Sequence, residues 1–244
     1  MIAIQTTNLT KKYNEKTVVN SLNLTIEQGE LFALLGVNGA GKSTTIKMLS
    51  CLTKPTKGDG IIFGNSIVSN PIKVKEHINI SPQETAIAPN LTVKENLEFI
   101  AEIYGSNKKQ ARQKAENTIS AFDLSEIEQT KAKILSGGWQ RRLSIAMALI
   151  SEPRILFLDE PTLGLDVLAR RELWNIIKKL KGKVTVILTT HYLEEAESLS
   201  DRIGIMVKGE LKAIGTVSEL LKKTNTTKFE DAFIAIAENG GMDV

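Results

Sequence analysis

Leu31-Phe32-Ala33-Leu34-Leu35-Gly36-Val37-Asn38-Gly39-Ala40-Gly41-Lys42-Ser43-Thr44-Thr45-Ile46-Lys47-Met48-Leu49 is the stretch on which the fold turns. Residues 30–35 form a short apolar run of buried-strand length, a glycine-rich turn follows, and residues 42–51 continue with helical patterning. Residues 36–43 match G-x-x-x-x-G-K-[ST], and they stand between a strand and a helix, the setting that motif requires. Glycines let the backbone wrap a phosphate with its N–H groups pointing inward, and the helix N-terminus adds partial positive charge. In such a loop Lys42 neutralises the β- and γ-phosphates of a nucleotide, and the Ser43 hydroxyl completes the coordination of Mg²⁺.

Working outward, a second apolar run, Ile155-Leu156-Phe157-Leu158, delivers two consecutive carboxylates, Asp159 and Glu160. Neighbours on a strand point to opposite faces, but at a strand terminus both can face a ligand above the sheet edge. Asp159 is expected to hold Mg²⁺ through water, and Glu160 to orient or deprotonate an attacking water. The runs 154–158 and 184–189 flank a helix over 167–181 that places Ala169, Leu173, Ile176, Ile177 and Leu180 on one face. Apolar strands alternating with amphipathic helices predict a parallel sheet covered on both sides, an α/β core.

Before that core, residues 2–4, 17–19 and 22–26 read as short antiparallel strands. Between about 84 and 150 the strand signal gives way to helices. One runs from Thr92, with Glu95 at capping-box spacing, to about Tyr104; a second runs to about Phe122; a third follows Ser136-Gly137-Gly138. This reads as a helical subdomain inserted in a single domain, 1–220, followed by a tail, 221–244; one helix is expected near 217–223, across that boundary, and another near 229–237.

Composition narrows the class. The chain has 244 residues, 42% of them hydrophobic and 24% charged, so it can build a core without staples. A net charge of +3, with the Lys and Arg residues spread along the chain, argues against nucleic acid. Cys51 stands alone, which excludes an internal disulfide and a cysteine-based zinc site and fits a reducing compartment. Residues 1–5 carry no signal-peptide pattern, and no apolar run approaches the roughly 18 residues needed to cross a bilayer. Work at a membrane would require a partner. His77 falls in no motif.

Kinases, GTPases and motors share the phosphate loop, so the family must be read elsewhere. Leu135-Ser136-Gly137-Gly138-Trp139-Gln140-Arg141-Arg142 resembles the LSGGQ signature of ABC ATPases, and the resemblance extends over nearly the whole chain. Gln83, in Ser81-Pro82-Gln83, is similar to the family's Gln loop; Leu163-Gly164-Leu165-Asp166 resembles the D-loop; His191 resembles the switch histidine. The resemblance implies a P-loop NTPase (RecA-like) core that binds ATP and Mg²⁺ and hydrolyses ATP. It assigns catalysis to Glu160, His191, Lys42 and Gln83, and the metal to Ser43, Gln83 and Asp159. It places Tyr13 on the adenine, and Gly36, Asn38, Gly39, Ala40, Gly41, Lys42, Ser43 and Thr44 on the phosphates. Ser136, Gly137 and Gly138 precede a helix and would serve the ATP of a second, head-to-tail subunit, expected to be an identical copy.

The stretch 42–49, the run Thr190-His191-Tyr192-Leu193-Glu194-Glu195-Ala196 and the tail Phe229-Glu230-Asp231-Ala232-Phe233 resemble ABC-2 exporters in particular. That implies a cytoplasmic subunit held at the inner face of the cell membrane by a separate membrane permease. Two alternatives stay open: an ABC ATPase of a non-transport membrane complex, and a soluble one acting on DNA or ribosomes. Relatives of the latter kind usually carry paired nucleotide domains, zinc-binding cysteines or long coiled-coil insertions, which this chain lacks. Two positions depart from the family pattern: Trp139, where Gln is usual, and Val167, where Pro is common.

Overall fold

The computed structural model describes residues 1–239; the last five of the expected tail, 240–244, lie outside the described residues. The chain opens with a long hairpin, β1 (Ile2–Tyr13) and β2 (Lys16–Glu27), where the alternation had predicted three short strands. The pairing register shifts between Thr6 and Leu9 and again beyond Leu9, and Asn8 and Ser21 take left-handed backbone angles (φ 49° and 46°). Bulges of this kind insert an unpaired residue and flip the side-chain alternation, which hides one continuous strand as several.

Next come β3 (Leu31–Leu35), α1 (Lys42–Leu49), β4 (Lys57–Ile62), β5 (Asn65–Ser66), the short α2 (Pro71–Lys75) and β6 (Ile78–Ser81). Helices α3 (Val93–Ile103), α4 (Lys108–Ala121) and α5 (Gly137–Leu149) follow, then β7 (Ile155–Asp159), α6 (Val167–Lys178), β8 (Thr185–Thr190) and α7 (Leu193–Leu199). The chain then forms β9 (Arg202–Val207), β10 (Glu210–Gly215), α8 (Val217–Thr224) and α9 (Phe229–Asn239). The Thr92 capping box is present: its hydroxyl accepts from the Glu95 amide, and Glu95 bonds back to the Thr92 amide. Helix α6 stops at Lys178, short of the expected 181, and the chain leaves it through successive turns that end at a left-handed Gly182 (φ 77°). Its buried face is Leu173, Trp174, Ile176 and Ile177, while Ala169 and Leu180 are only partly covered.

Two sheets result, a four-stranded one in the order β2-β1-β4-β5 and a six-stranded one in the order β10-β9-β3-β8-β7-β6. In the larger sheet every pairing is parallel except β9–β10. Its central strands are buried on both faces, and the side-chain period of two sorts them into two cores. Phe32, Leu34, Ile155, Phe157 and Ile187 pack with α1 and the antiparallel sheet. Leu31, Ala33, Leu35, Leu156, Leu158, Val186 and Leu188 pack with the later helices. Covering both faces explains why these strands read as unbroken apolar runs.

Register sets the position of the site. Leu35 lies opposite Thr190, and Asp159 opposite Thr189. Gly36, Glu160 and His191 therefore emerge side by side at the carboxyl edge of the sheet, where open α/β sheets bind ligands.

Candidate functional site

The loop between β3 and α1 is shaped by its glycines. Gly41 has φ 104°, and a Cβ there would stand 2.6 Å from the Val18 carbonyl; one on Gly36 would stand 2.3 Å from the Met206 carbonyl. Only glycine fits those two places. Above the loop opens a cavity of about 320 Å³ walled by Val18, Asn38, Gly39, Ala40, Gly41, Lys42, Ser43, Thr44, Gln83, Glu160 and Leu163. Lys42 is buried (4% exposed), with Nζ donating to the Gly36 carbonyl at 2.8 Å and lying 3.4 Å from Glu160 Oε1. A buried ammonium among carbonyls at the first turn of a helix is built to meet an anion.

Both carboxylates of the Asp-Glu pair reach this loop, against the alternation of a regular strand. Asp159 Oδ1 accepts from Ser43 Oγ at 2.9 Å and from Thr189 Oγ1 at 2.6 Å. Glu160 turns to the same side because its backbone is left-handed (φ 46°), a strained conformation for a residue with a Cβ. Its amide is clamped by Thr189 through the carbonyl at 3.1 Å and the hydroxyl at 3.0 Å. Glu160 Oε2 lies 3.0 Å from His191 Nδ1, so an imidazole carrying its proton on Nδ1 donates to the carboxylate. Lys42, Glu160 and His191 thus form one contact chain. Residues suited to general-base work and to charge neutralisation stand together beside a phosphate cradle.

Other expected residues are placed differently. Gly36, Asp159 and His191 do not line the cavity but act on it through Lys42, Ser43 and Glu160 respectively. Gln83 stands at the cavity wall on an exposed loop. Tyr13 ends β1, 45% exposed with Lys11 Nζ 4.8 Å from its ring centre, and is not part of the cavity wall. Ser136 is the N-cap of α5, and Gly137 and Gly138 form its first turn rather than preceding it. None of these three lines the phosphate cavity; Ser136 and Gly138 border a separate small recess with Trp139 and Arg142. Trp139 stacks on the Arg142 guanidinium (4.3 Å), which is paired with Glu172 of α6 at 2.7 Å. The aromatic at this departure from the family pattern therefore packs within the subunit.

The structure adds residues that spacing did not single out. Thr189 bridges both carboxylate residues, as described above. Arg141, buried on α5, donates to the Pro82 carbonyl at 2.6 Å and to the Gln83 carbonyl, tying the Gln83 loop to that helix. Burial lowers its pKa, offset in part by the nearby Asp159 and Glu195 charges. Glu195 on α7 is fully buried; burial pushes its carboxyl up, while Thr190, Thr162, Trp174 and Arg170 hold it back. The signal for Thr189 and Thr190 was present as two polar residues ending an otherwise apolar strand. For Arg141 and Glu195 the one-dimensional pattern of charges in helices gives no sign of burial.

The residues fit a nucleotide triphosphate and its cation. The glycine loop closes around a space that a Cβ would invade, and Ser43 and Asp159 are hard oxygen donors of the kind that hold Mg²⁺ alongside phosphate oxygens. Among the described residues no group of three or more His, Cys, Asp or Glu forms a metal cage.

Fold and site together define an ATP-hydrolysing phosphate-loop protein. The chain matches the ABC transporter family over residues 19–163, and it belongs to that family as an ATP-binding, ATP-hydrolysing subunit. It is 41% identical over 221 residues to the linearmycin resistance ATP-binding protein LnrL of Bacillus subtilis (strain 168), covering 90% of this chain and 71% of that protein. A solved ATP-binding subunit of an ABC transporter superimposes with a TM-score of 0.84 at 27% identity, over 96% of this chain and 99% of that one. A dimeric ATP-binding cassette in a post-hydrolysis state, bound to ADP and Pi, superimposes with a TM-score of 0.77 at 29% identity, over 87% and 98%. Among the described residues no helix is long and apolar enough to cross a membrane.

Proposed function

We propose that this subunit is the ATP-driven motor of an exporter, working as a head-to-tail pair of identical copies against a separate membrane permease. The observation that carries the reading is the Lys42–Glu160–His191 contact chain beside the glycine loop. Lys42 and the loop amides hold the β- and γ-phosphates, with Gly36 anchoring the lysine and Asn38, Gly39, Ala40, Gly41 and Thr44 completing the cradle. Ser43 and Asp159, with Gln83 at the edge, would hold Mg²⁺, which when bound would neutralise phosphate charge. Glu160 takes the proton of the attacking water as its oxygen bonds to the γ-phosphorus and ADP departs. His191 holds the Glu160 carboxylate in place through Nδ1 and faces the γ-phosphate with the rest of its ring. Tyr13 stacks on the adenine from the end of β1.

The partner copy supplies its Ser-Gly-Gly turn, opening α5, to the same nucleotide. A helix start with two glycines is a second anion cradle, and its separation from the phosphate cavity in one subunit supports use across an interface. The dimeric ADP-bound cassette supports the pairing, and the name of the linearmycin resistance relative supports export. Because both copies would grip one γ-phosphate, hydrolysis releases the interface, a two-state switch biased by ligand.

Glu160→Gln tests the core of this. The variant is expected to lose turnover yet accumulate as an ATP-bound dimer in size-exclusion chromatography. A Glu160→Gln protein that hydrolyses ATP as a monomer at the native rate refutes the assignment. For the exporter reading, the chain should co-purify with an integral membrane subunit, and ATPase activity should rise on adding that subunit's transported compound.

A further inference from the structure

Behind His191 lies a polar cluster that the hydrolytic groups above do not use. Glu195 Oε1 accepts from Trp174 Nε1 at 3.0 Å; Oε2 makes no hydrogen bond of ordinary geometry among the described residues, although Thr162 and Thr190 stand close enough to lower the carboxyl's pKa. Thr162 Oγ1 and Arg170 Nε, both near this carboxylate, are likewise buried without a hydrogen bond of ordinary geometry among the described residues. Buried polar atoms are normally paired, so the long contacts around this carboxylate leave it room to tighten.

Arg170 is the hub. It sits on the first turn of α6, just past the 163–166 loop, and its charge is the weakest of the influences that hold the Glu195 carboxyl down. Its Nη2 reaches the Leu165 carbonyl at 3.5 Å, the outer limit of a hydrogen bond. Its guanidinium lies 4.7 Å from the Tyr192 ring centre, and that ring lies 4.1 Å from the His191 ring, tilted by 39°. His191 in turn holds Glu160. Leu165, Arg170, Tyr192, His191 and Glu160 are therefore in unbroken contact from the 163–166 loop to the general base.

We infer that Arg170 is a positioning residue through which the 163–166 loop sets His191 against Glu160. A guanidinium offers five donors in a rigid plane, so one group can stack on Tyr192, face Glu195 and follow the Leu165 carbonyl at once. When the loop moves toward α6, the long Arg170–Leu165 contact shortens, the guanidinium shifts over Tyr192, and the stacked imidazole moves with it. This rests on the roles given to Glu160 and His191 in the proposed function.

The test compares Arg170→Met, Arg170→Lys and Glu160→Gln in the full chain, reading ATPase kcat and KM, thermal midpoint and imidazole resonances. A His77→Gln background leaves His191 as the only histidine in the spectrum. Arg170→Met is expected to lower kcat roughly tenfold or more, the scale of a displaced catalytic group, with KM for ATP nearly unchanged. The thermal midpoint should hold, and the His191 ring protons should shift as the Tyr192 ring current changes. Arg170→Lys, which keeps the charge but not the plane, should recover part of both effects. An unchanged kcat, unmoved His191 resonances, or a loss of kcat accompanied by equal losses in KM and thermal midpoint overturns the inference. If Arg170→Met does not fold, Arg170→Lys is judged by the same criteria against the wild type. Turnover retained by Glu160→Gln would instead overturn the proposed function.

Discussion

Replacing Thr189 by valine removes one hydroxyl at a fully buried position and nearly preserves side-chain shape. That hydroxyl donates to Asp159 Oδ1 at 2.6 Å and accepts from the Glu160 amide at 3.0 Å. Neither partner is orphaned by the change, since Asp159 Oδ1 keeps Ser43 Oγ and the Glu160 amide keeps the Thr189 carbonyl. The loss is thus two hydrogen bonds, one to a charged group and one that the Glu160 amide shares with a second acceptor, about 2–4 kcal/mol together. Relief from burying a hydroxyl offsets roughly 1 kcal/mol of that. A net cost of about 1–3 kcal/mol corresponds, for a chain of this size, to a melting shift of roughly 2–12 °C.

Activity should suffer more than stability. Glu160 holds a left-handed backbone, and Thr189 supplies both clamps on its amide. Loosening one lets the carboxylate relax from its place between Lys42 and His191, and a displacement near 1 Å costs on the order of a hundredfold in rate. A fall in kcat of roughly tenfold or more is expected, with little change in KM for ATP. Steady-state ATPase assays and differential scanning fluorimetry on the same preparations measure both effects, and Thr189→Ser, which keeps the hydroxyl, should restore most of the rate. A valine variant with native kcat and melting temperature would refute the reasoning, as would a serine variant as impaired as the valine.

Two other outcomes follow from the same geometry. Gly36→Ala places a Cβ 2.3 Å from the Met206 carbonyl, so the loop must move; ATP affinity, read by fluorescent nucleotide titration, should fall sharply while the chain stays folded. Hydrogen bonds from Thr92 hold the Glu95 carboxyl below the usual carboxylate range. Its contribution is therefore full above the unfolded value and is lost as pH falls through the lowered folded value. Wild type should melt above Glu95→Gln near neutral pH, with the gap closing in acid; a gap that is constant or widens toward acid contradicts the sign.

Much of the site was legible because its pieces are contiguous. A glycine loop needs its glycines and lysine at fixed offsets, and an apolar strand ending in Asp-Glu declares both its burial and its edge. The Thr92 capping box was legible for the same reason, since its partners are three residues apart. The hairpin was misread because bulges at Asn8 and Ser21 cancel the alternation. Strand β4, with Gly58, Asp59 and Gly60, carries weak strand propensity and exists by pairing with β1. Arg141 and Glu195 read as ordinary helical charges, since burial of a charge depends on what packs over it.

The sequence alone determined the class of chemistry: a phosphate cradle, a carboxylate pair, a signature turn and the order in which they occur. These follow from local backbone geometry, which nearest neighbours in the chain impose. Only the tertiary structure decided how they meet. Parallel register brings Asp159 opposite Thr189 and Leu35 opposite Thr190, residues far apart along the chain. The left-handed turn at Glu160 then aims a carboxylate that strand alternation would have sent to the other face. No local rule contains that choice, because it is held by hydrogen bonds from a different strand.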